Sequence, residues 1–214
     1  MRTIHTYACA AALLLAISYS PSATAQADSS TPPSGAKYQL YDVGTLGGSS
    51  SYIFNFDAYG GQFTPSPLNS SGQVVGSSYV AYATNLVGSY LWSQGTIKTL
   101  ATLPKGTYYA GGSNANGLNN SGMAVGASAY GKLSSYNGQN FYHAVSWTNG
   151  VVTDLGDLGG GESWANFVNN HGLVVGFADN ATADPYSYYG VQYRATVWQN
   201  GVIRDLGTLG WHRR

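Results

Sequence analysis

The chain has 214 residues, of which 8% are charged, and nine Lys and Arg balance nine Asp and Glu. This balance excludes the basic surface that nucleic-acid binding requires, because affinity for phosphate comes from many Lys and Arg contacts. An apolar fraction of 43% and an aromatic fraction of 14% exclude a highly charged disordered chain. With 29 Gly and 18 Tyr, the composition favours short strands and tight turns.

The N-terminus has the pattern of a secretory signal peptide. A basic residue precedes an apolar run over 8–17, and Ala25 and Ala27 are the small residues that a signal peptidase recognises. We predict cleavage after Ala27, and therefore a secreted protein that is extracellular or periplasmic. The apolar run is too short to span a bilayer, so we expect no transmembrane anchor. Residues 28–36 are rich in Ser and Pro and predict a flexible leader before a repeat domain over 37–214.

Beyond residue 36 the chain repeats itself with a period near 50 residues. Each repeat has an Asn-x-x-Gly unit, then a short apolar strand, and later a Trp that precedes a second turn. The predicted repeats cover about 38–100, 101–155 and 156–209. The repeated residues, to which we assign structural roles, are Asn69, Asn119 and Asn169, Gly72, Gly122 and Gly172, and Trp92, Trp147 and Trp198.

The turns of each repeat favour β-hairpins. Asn149-Gly150 and Asn200-Gly201 suit a type I′ turn, which needs positive φ at both central residues, and Gln94-Gly95 is a weaker version. The Asn-x-x-Gly units suit a type I turn followed by a left-handed Gly. Each repeat is therefore predicted to form about four short antiparallel strands. A period near 50 built from four strands is typical of propeller blades, with the Trp packed between neighbouring blades.

These units resemble the HAF repeats, a family of probable extracellular repeats in bacteria. The family's unit is roughly His-Ala-Phe, then Trp and Asn-Gly, an Asp-Leu-Gly-Thr-Leu-Gly-Gly stretch, and Asn-x-x-Gly-x-Val-Val-Gly. Residues 143–160 match this unit almost throughout, and residues 194–210 match it with Arg in place of His. The first Trp unit, at 89–92, departs more because it has no His. The resemblance covers about 38–209 and implies an exported β-propeller-like protein, with no catalytic residues established for the family.

Three repeats do not complete a ring, because propellers typically have four to eight blades. Residues 38–46 are predicted as one additional strand, of the type that ends the last repeat at 202–209. We therefore predict an all-β, propeller-like array of about three four-stranded antiparallel blades, with the ring incomplete in one chain. Open blade edges favour self-association. The alternatives are a homodimer that makes a six-blade ring, an open fan of sheets, and a truncated fragment of a longer array.

The segments between the repeated elements are rich in uncharged aromatic residues. On loops, such residues give an adaptable contact surface, although capping of blade edges is an equal alternative. We predict a non-enzymatic exported repeat protein that binds a glycan or a surface protein through these segments. The candidate binding residues are Tyr136, Phe141, Tyr142, Tyr186, Tyr188, Tyr189 and Tyr193.

The alternative function is a secreted polysaccharide hydrolase, in which two carboxylates serve as acid and base. The carboxylates that do not recur between repeats are the candidates, and the sequence does not pair them. They are Asp57, Asp157, Glu162, Asp179 and Asp184.

Other polar residues are interpreted as structural. Asp42, Asp154 and Asp205 recur between repeats, which favours a role as acceptors for backbone N–H groups. His143 occupies the His position of the repeat and is interpreted as a packing residue. Cys9 lies in the predicted signal peptide, so the mature chain has no thiol nucleophile and no Cys-ligated metal. We expect no catalytic residue, no metal and no cofactor.

Overall fold

The computed structural model describes residues 41–53, 66–80, 87–104, 112–133, 140–187 and 190–209. Within these ranges the protein is all-β, with twelve strands and no helix. Consequently, no described segment is an apolar helix of membrane-spanning length. The strands form three four-stranded antiparallel sheets, which confirms the predicted fold class at that level. The predicted signal peptide and leader lie outside the described residues.

Each sheet contains strands that follow one another along the chain. Sheet 1 contains β1 (Gly47–Tyr52), β2 (Val74–Val80), β3 (Val87–Ser93) and β4 (Thr96–Thr99). Sheet 2 contains β5 (Ser113–Leu118), β6 (Ala124–Leu133), β7 (Asn140–Thr148) and β8 (Val151–Gly156). Sheet 3 contains β9 (Gly159–Val168), β10 (Val174–Ala183), β11 (Val191–Gln199) and β12 (Val202–Asp205). Each sheet corresponds to one predicted repeat.

The hairpin turns have the predicted backbone geometry. Between the third and fourth strands of each sheet, φ is 48° and 81° at Gln94-Gly95, 52° and 81° at Asn149-Gly150, and 52° and 75° at Asn200-Gly201. In the Asn-x-x-Gly turns, the Gly has φ between 72° and 82°, and its N–H donates to the Asn carbonyl at 3.1 Å. Gly adopts this left-handed conformation without the clash of a Cβ. The local sequence therefore determines where the strands reverse.

Apolar side chains fill the spaces between adjacent sheets. Between sheets 1 and 2, Trp147 is buried with Val75, and its Nε1 donates to the carbonyl of Ala101 at 2.6 Å. Between sheets 2 and 3, Trp198 is buried with Val125. The large apolar area of an indole makes such a residue dominant in a small core. The predicted packing of the repeated Trp between neighbouring sheets is confirmed for these two residues.

A ladder of asparagine hydrogen bonds also joins the sheets. Nδ2 of Asn69 donates to the carbonyl of Asn119, and Nδ2 of Asn119 donates to the carbonyl of Asn169, both at 3.0 Å. The Oδ1 of each Asn accepts backbone N–H bonds within its own turn. For Asn119 the donors are Ser121 at 3.1 Å and Met123 at 2.9 Å. One side chain thus shapes its turn and binds the next sheet.

A second set of rungs lies beside the first. The N–H of Ser70 donates to Oδ1 of Asn120, and the N–H of Asn120 donates to Oδ1 of Asn170, both at 2.9 Å. Each rung joins residues 50 positions apart. We call the two sets together the asparagine ladder. The period of the sequence therefore corresponds to one step from a sheet to the next.

The predicted additional strand over 38–46 was wrong for its described residues, which form no strand before Leu46. The N–H of Leu46 instead donates to Oγ of Ser78 at 2.9 Å, as the N–H of Leu103 donates to Oγ of Ser128 at 3.0 Å. In both cases the segment is a connector that lies against a strand of the following sheet. Its backbone bonds to a serine side chain, and for this reason it does not extend a strand ladder.

Candidate functional site

Sheet 3 has one face against sheet 2 and one face directed away from it. Ala178 belongs to the apolar cluster between the two sheets, and alternate residues of a strand point to opposite faces. On the face opposite to Ala178, Phe177 pairs with Trp164, and Asp179 pairs with Tyr193. We call the face that carries these four residues the outer face of sheet 3.

Aromatic rings form a continuous row on the outer face and on the adjoining β7. The centroids of Tyr142 and Trp164 are 5.1 Å apart, those of Trp164 and Phe177 6.5 Å, and those of Phe177 and Tyr193 5.5 Å. The rings of Trp164 and Phe177 are nearly parallel, at 15°. Tyr193 is exposed, and the other three side chains are half-buried. This aromatic row therefore contains three rings that are partly packed against neighbours and one ring, Tyr193, that is exposed.

Two carboxylates beside the aromatic row are almost inaccessible to solvent. Glu162 is 4% exposed and Asp179 is 0% exposed. Oε1 of Glu162 accepts a hydrogen bond from Nε1 of Trp164 at 2.9 Å, whereas Oε2 has no hydrogen-bond partner within the described ranges. Neither oxygen of Asp179 has such a partner there. Buried polar atoms are normally hydrogen-bonded, because burial without a partner costs free energy, so these oxygens mark an unusual site.

Burial raises the pKa of both carboxyl groups, and neighbouring carboxylates add to the rise at Asp179. Burial raises the pKa of Asp179 from 3.8 to about 7, and the charges of Glu162 and Asp157 add to the rise. Burial also raises the pKa of Glu162, although the hydrogen bond from Trp164 opposes the rise. The pKa of Tyr142 is raised by burial and by Glu162. Two buried carboxyl groups that hold their protons to higher pH than usual therefore lie beside the aromatic row.

His143 lies between two carboxylates at the boundary with sheet 2. Its Nδ1 is 2.9 Å from Oδ2 of Asp154, its Nε2 is 3.0 Å from Oδ2 of Asp157, and its ring stacks on Tyr130 at 3.8 Å. Burial acts to raise the pKa of Asp154, but hydrogen bonds from His143 and from the Gly156 N–H outweigh burial and lower it. A hydrogen bond at Nδ1, the nearby Asp157 carboxylate and the stacked Tyr130 ring thus fix the position of the imidazole, as expected of a packing residue.

The repeated Asp residues accept backbone hydrogen bonds, as the sequence predicts. Oδ1 of Asp42, of Asp154 and of Asp205 each accepts the N–H of the Gly two residues later, at 2.8, 2.8 and 2.6 Å. Nε of Arg194 lies 3.4 Å from Oδ2 of Asp205, which repeats the pairing of His143 with Asp154. Recurrence in two sheets supports a structural role for this pairing.

The outer face departs from the repeat in a systematic way. Small or polar residues of sheet 2 are replaced by aromatic residues at the positions 50 residues later. In sheet 2, Gly117 and Ala127 are buried, and a Cβ on Gly117 would lie 3.1 Å from the carbonyl oxygen of Asn166 in sheet 3. Asn114 is half-buried, and its Oδ1 accepts a hydrogen bond from Oγ of Ser77 in sheet 1 at 3.3 Å. Sheet 3 therefore presents large aromatic side chains at positions where sheet 2 presents small or polar ones. The replaced pairs are Asn114 and Trp164, Gly117 and Phe167, and Ala127 and Phe177.

The structure brings two of the predicted binding residues, Tyr142 and Tyr193, together in the aromatic row. Phe141 lies elsewhere, with its ring centroid 5.6 Å from Nζ of Lys132. Tyr186 is 89% exposed in the turn after β10 and is not part of the row. Tyr136, Tyr188 and Tyr189 lie outside the described residues.

Trp164 and Phe177 are not among the predicted binding residues, because they lie within strands and not in the variable segments. Their signal in the sequence is the change from Asn114 and Ala127 to large aromatic residues at equivalent positions of the repeat. Neither change is informative until the pairing of β9 with β10 places both residues on one face.

Three of the five unrepeated carboxylates lie close enough to influence one another, namely Asp157, Glu162 and Asp179. Asp184 lies apart in a turn, where its Oδ1 accepts the N–H of Tyr186 at 2.9 Å. Asp57 lies outside the described residues.

Neither the arrangement of possible metal ligands nor comparison with known proteins identifies a function for this site. Across the described part of the chain, no group of three or more His, Asp or Glu side chains is arranged to hold a metal ion. No protein-family model matches the chain, and no match was found among curated proteins or among solved structures.

Proposed function

We propose that this is an exported, non-enzymatic repeat protein that binds a glycan on the outer face of sheet 3. The observation that carries the proposal is the aromatic row, in which Trp164 and Phe177 stand where sheet 2 has Asn114 and Ala127. Aromatic faces bind the C–H faces of pyranose rings through dispersion and burial of apolar surface. A protein ligand is the alternative within the same class of function.

The finer architecture that we propose is a propeller-like succession of blades. Its support is the set of three meandering four-stranded sheets and the asparagine ladder, which relates each sheet to the next by the same bonds. Export, the resemblance to HAF repeats and self-association through open edges stay predictions.

Substitution of Trp164 tests the proposed function. We expect Trp164→Ala to weaken glycan binding by about tenfold or more, because it removes the ring that joins Tyr142 to Phe177 in the row. A glycan array with the purified mature chain would select an oligosaccharide, and isothermal titration calorimetry would compare the two proteins. Phe177→Ala serves as the second variant, and thermal unfolding would verify that each variant is folded.

Tyr52→Ala is the matched control for this experiment. It removes a ring of 39% exposure from β1, on a different sheet, and is expected to leave glycan affinity unchanged. Equal affinity of folded Trp164→Ala, folded Phe177→Ala and the unsubstituted protein would show that the row is not the binding surface. Absence of glycan binding even at millimolar concentration would overturn the proposed function.

A polysaccharide hydrolase is the second candidate function, because the structure places Glu162 and Asp179 together and raises the pKa of each. A general acid of a glycosidase needs such a raised pKa. We rank it below binding, because at 4% and 0% exposure neither carboxyl reaches a substrate oxygen in this conformation. Release of reducing ends from a polysaccharide, lost in Glu162→Gln, would favour the hydrolase instead.

A further inference from the structure

We infer that the glycan bound on the outer face of sheet 3 is cationic, an oligosaccharide of amino sugars whose nitrogen atoms carry positive charge. The inference rests on the proposed function and specifies the class of ligand for the same site. It is carried by the juxtaposition of the aromatic row with the buried, unpartnered carboxylate oxygens of Glu162 and Asp179.

His143 pairs with Asp157, and Arg194 pairs with Asp205. The ammonium of Lys132 lies beside Gly161 and over the ring of Phe141. Because alternate residues of a strand lie on opposite faces, Gly161 is on the face of β9 opposite to Glu162. The neighbouring basic groups are thus engaged by other partners. The negative charge of Glu162 and Asp179 is left without a cation among the described residues.

The rings of the aromatic row also favour a cation. An ammonium group within about 6 Å of a ring centroid is attracted by the face of the ring, most strongly for Trp. In the row, the indole N–H of Trp164 donates a hydrogen bond to the Glu162 carboxylate. The ring that would contact the ligand therefore lies directly beside a carboxylate. Because the surroundings of a buried charge have a low dielectric constant, its field acts on a cation above the rings without direct contact.

Neutral, acidic and cationic sugars differ in what they gain at this site. A neutral sugar gains only the contact with the rings, and an acidic sugar is repelled by the carboxylates. A cationic sugar gains the contact and also offsets part of the unfavourable burial of Glu162 and Asp179. The site therefore discriminates ligands by the sign of their charge.

The experiment compares two hexasaccharides of the same backbone at pH 8. One is the neutral hexamer of N-acetylglucosamine, and the other is the hexamer of N,N,N-trimethylglucosamine, whose quaternary ammonium groups keep their charge at any pH. Calorimetry is expected to show about tenfold tighter binding of the charged hexamer to the mature protein. In the double variant Glu162→Gln with Asp179→Asn, the ratio of the two affinities is expected to fall to about twofold.

Controls separate the inference from the proposed function. Asp42→Asn removes one negative charge from the connector of sheet 1 and is expected to keep the preference. Equal binding of the two hexamers, or a preference that survives in the double variant, would overturn the inference and leave the proposed function intact. If neither hexamer nor any array glycan binds, the proposed function fails as well. If thermal unfolding shows that the double variant is unfolded, Glu162→Gln and Asp179→Asn are each measured alone.

Discussion

Asn119→Asp is expected to lower the free energy of unfolding by about 3 kcal/mol. The carboxylate keeps the Oδ1 acceptor for the N–H groups of Ser121 and Met123, so the turn itself is preserved. It loses the donor to the carbonyl of Asn169 and places a second oxygen against that carbonyl at about 3 Å. Asn119 is 4% exposed, so little water is present to relieve the repulsion. Urea unfolding at pH 7 measures the effect.

Asn169→Asp is the matched control, because it makes the same chemical change in the last turn of the ladder. Asn169 is exposed and accepts the N–H groups of His171 and Leu173, but its Nδ2 donates to no further turn within the described ranges. The expected loss is below about 1 kcal/mol. Equal losses in the two variants would show that the bond between the sheets contributes nothing, and that the turn alone accounts for the repeated Asn.

Asp179→Asn is expected to stabilise the protein at pH 8 by about 2–4 kcal/mol. The native pKa is raised by burial from 3.8 to about 7, so between these values the native state binds a proton that the unfolded state does not. Stability therefore falls as the pH rises through this window, and the loss is complete above about 7. The amide of Asn carries no charge, and this loss is absent from the variant.

Thermal unfolding between pH 4 and pH 8 tests the sign and the window. The midpoint of Asp179→Asn is expected to match that of the unsubstituted protein near pH 4 and to exceed it by about 5–10 °C at pH 8. Asp184→Asn removes the same charge from the turn after β10 and measures the effect of net charge. A difference between Asp179→Asn and the unsubstituted protein that is constant over the whole range would contradict a buried carboxyl at this position.

Much of the fold can be predicted from the sequence, because its turns are local. Asn149-Gly150 and Asn200-Gly201 adopt positive φ for steric reasons that involve only the turn residues. The Asn-x-x-Gly units are equally local, and their spacing predicts the number of sheets. The strand predicted over 38–46 was wrong at its described residues, because the bond between Leu46 and Ser78 depends on a partner 32 positions away.

The candidate site, in contrast, depends on contacts between residues that are distant in sequence. The sequence separates Glu162 from Asp179 and identifies both only as unrepeated carboxylates. Their coupling arises from the pairing of β9 with β10 and from the burial that removes solvent from both groups. Trp164 and Phe177 occupy interior strand positions, which a sequence pattern assigns to packing.

The sequence by itself determined the low charge, the three repeats, the position of each turn and the antiparallel sheets, because these depend on composition and on steric preferences of neighbouring residues. Only the tertiary structure decided which face of sheet 3 packs against sheet 2, since that depends on which side chains meet across strands. It also decided that Trp164, Phe177 and Tyr193 form one row beside Glu162 and Asp179. The physical reason is that charge burial and ring contact are properties of pairs distant in sequence, which a period of 50 residues does not encode.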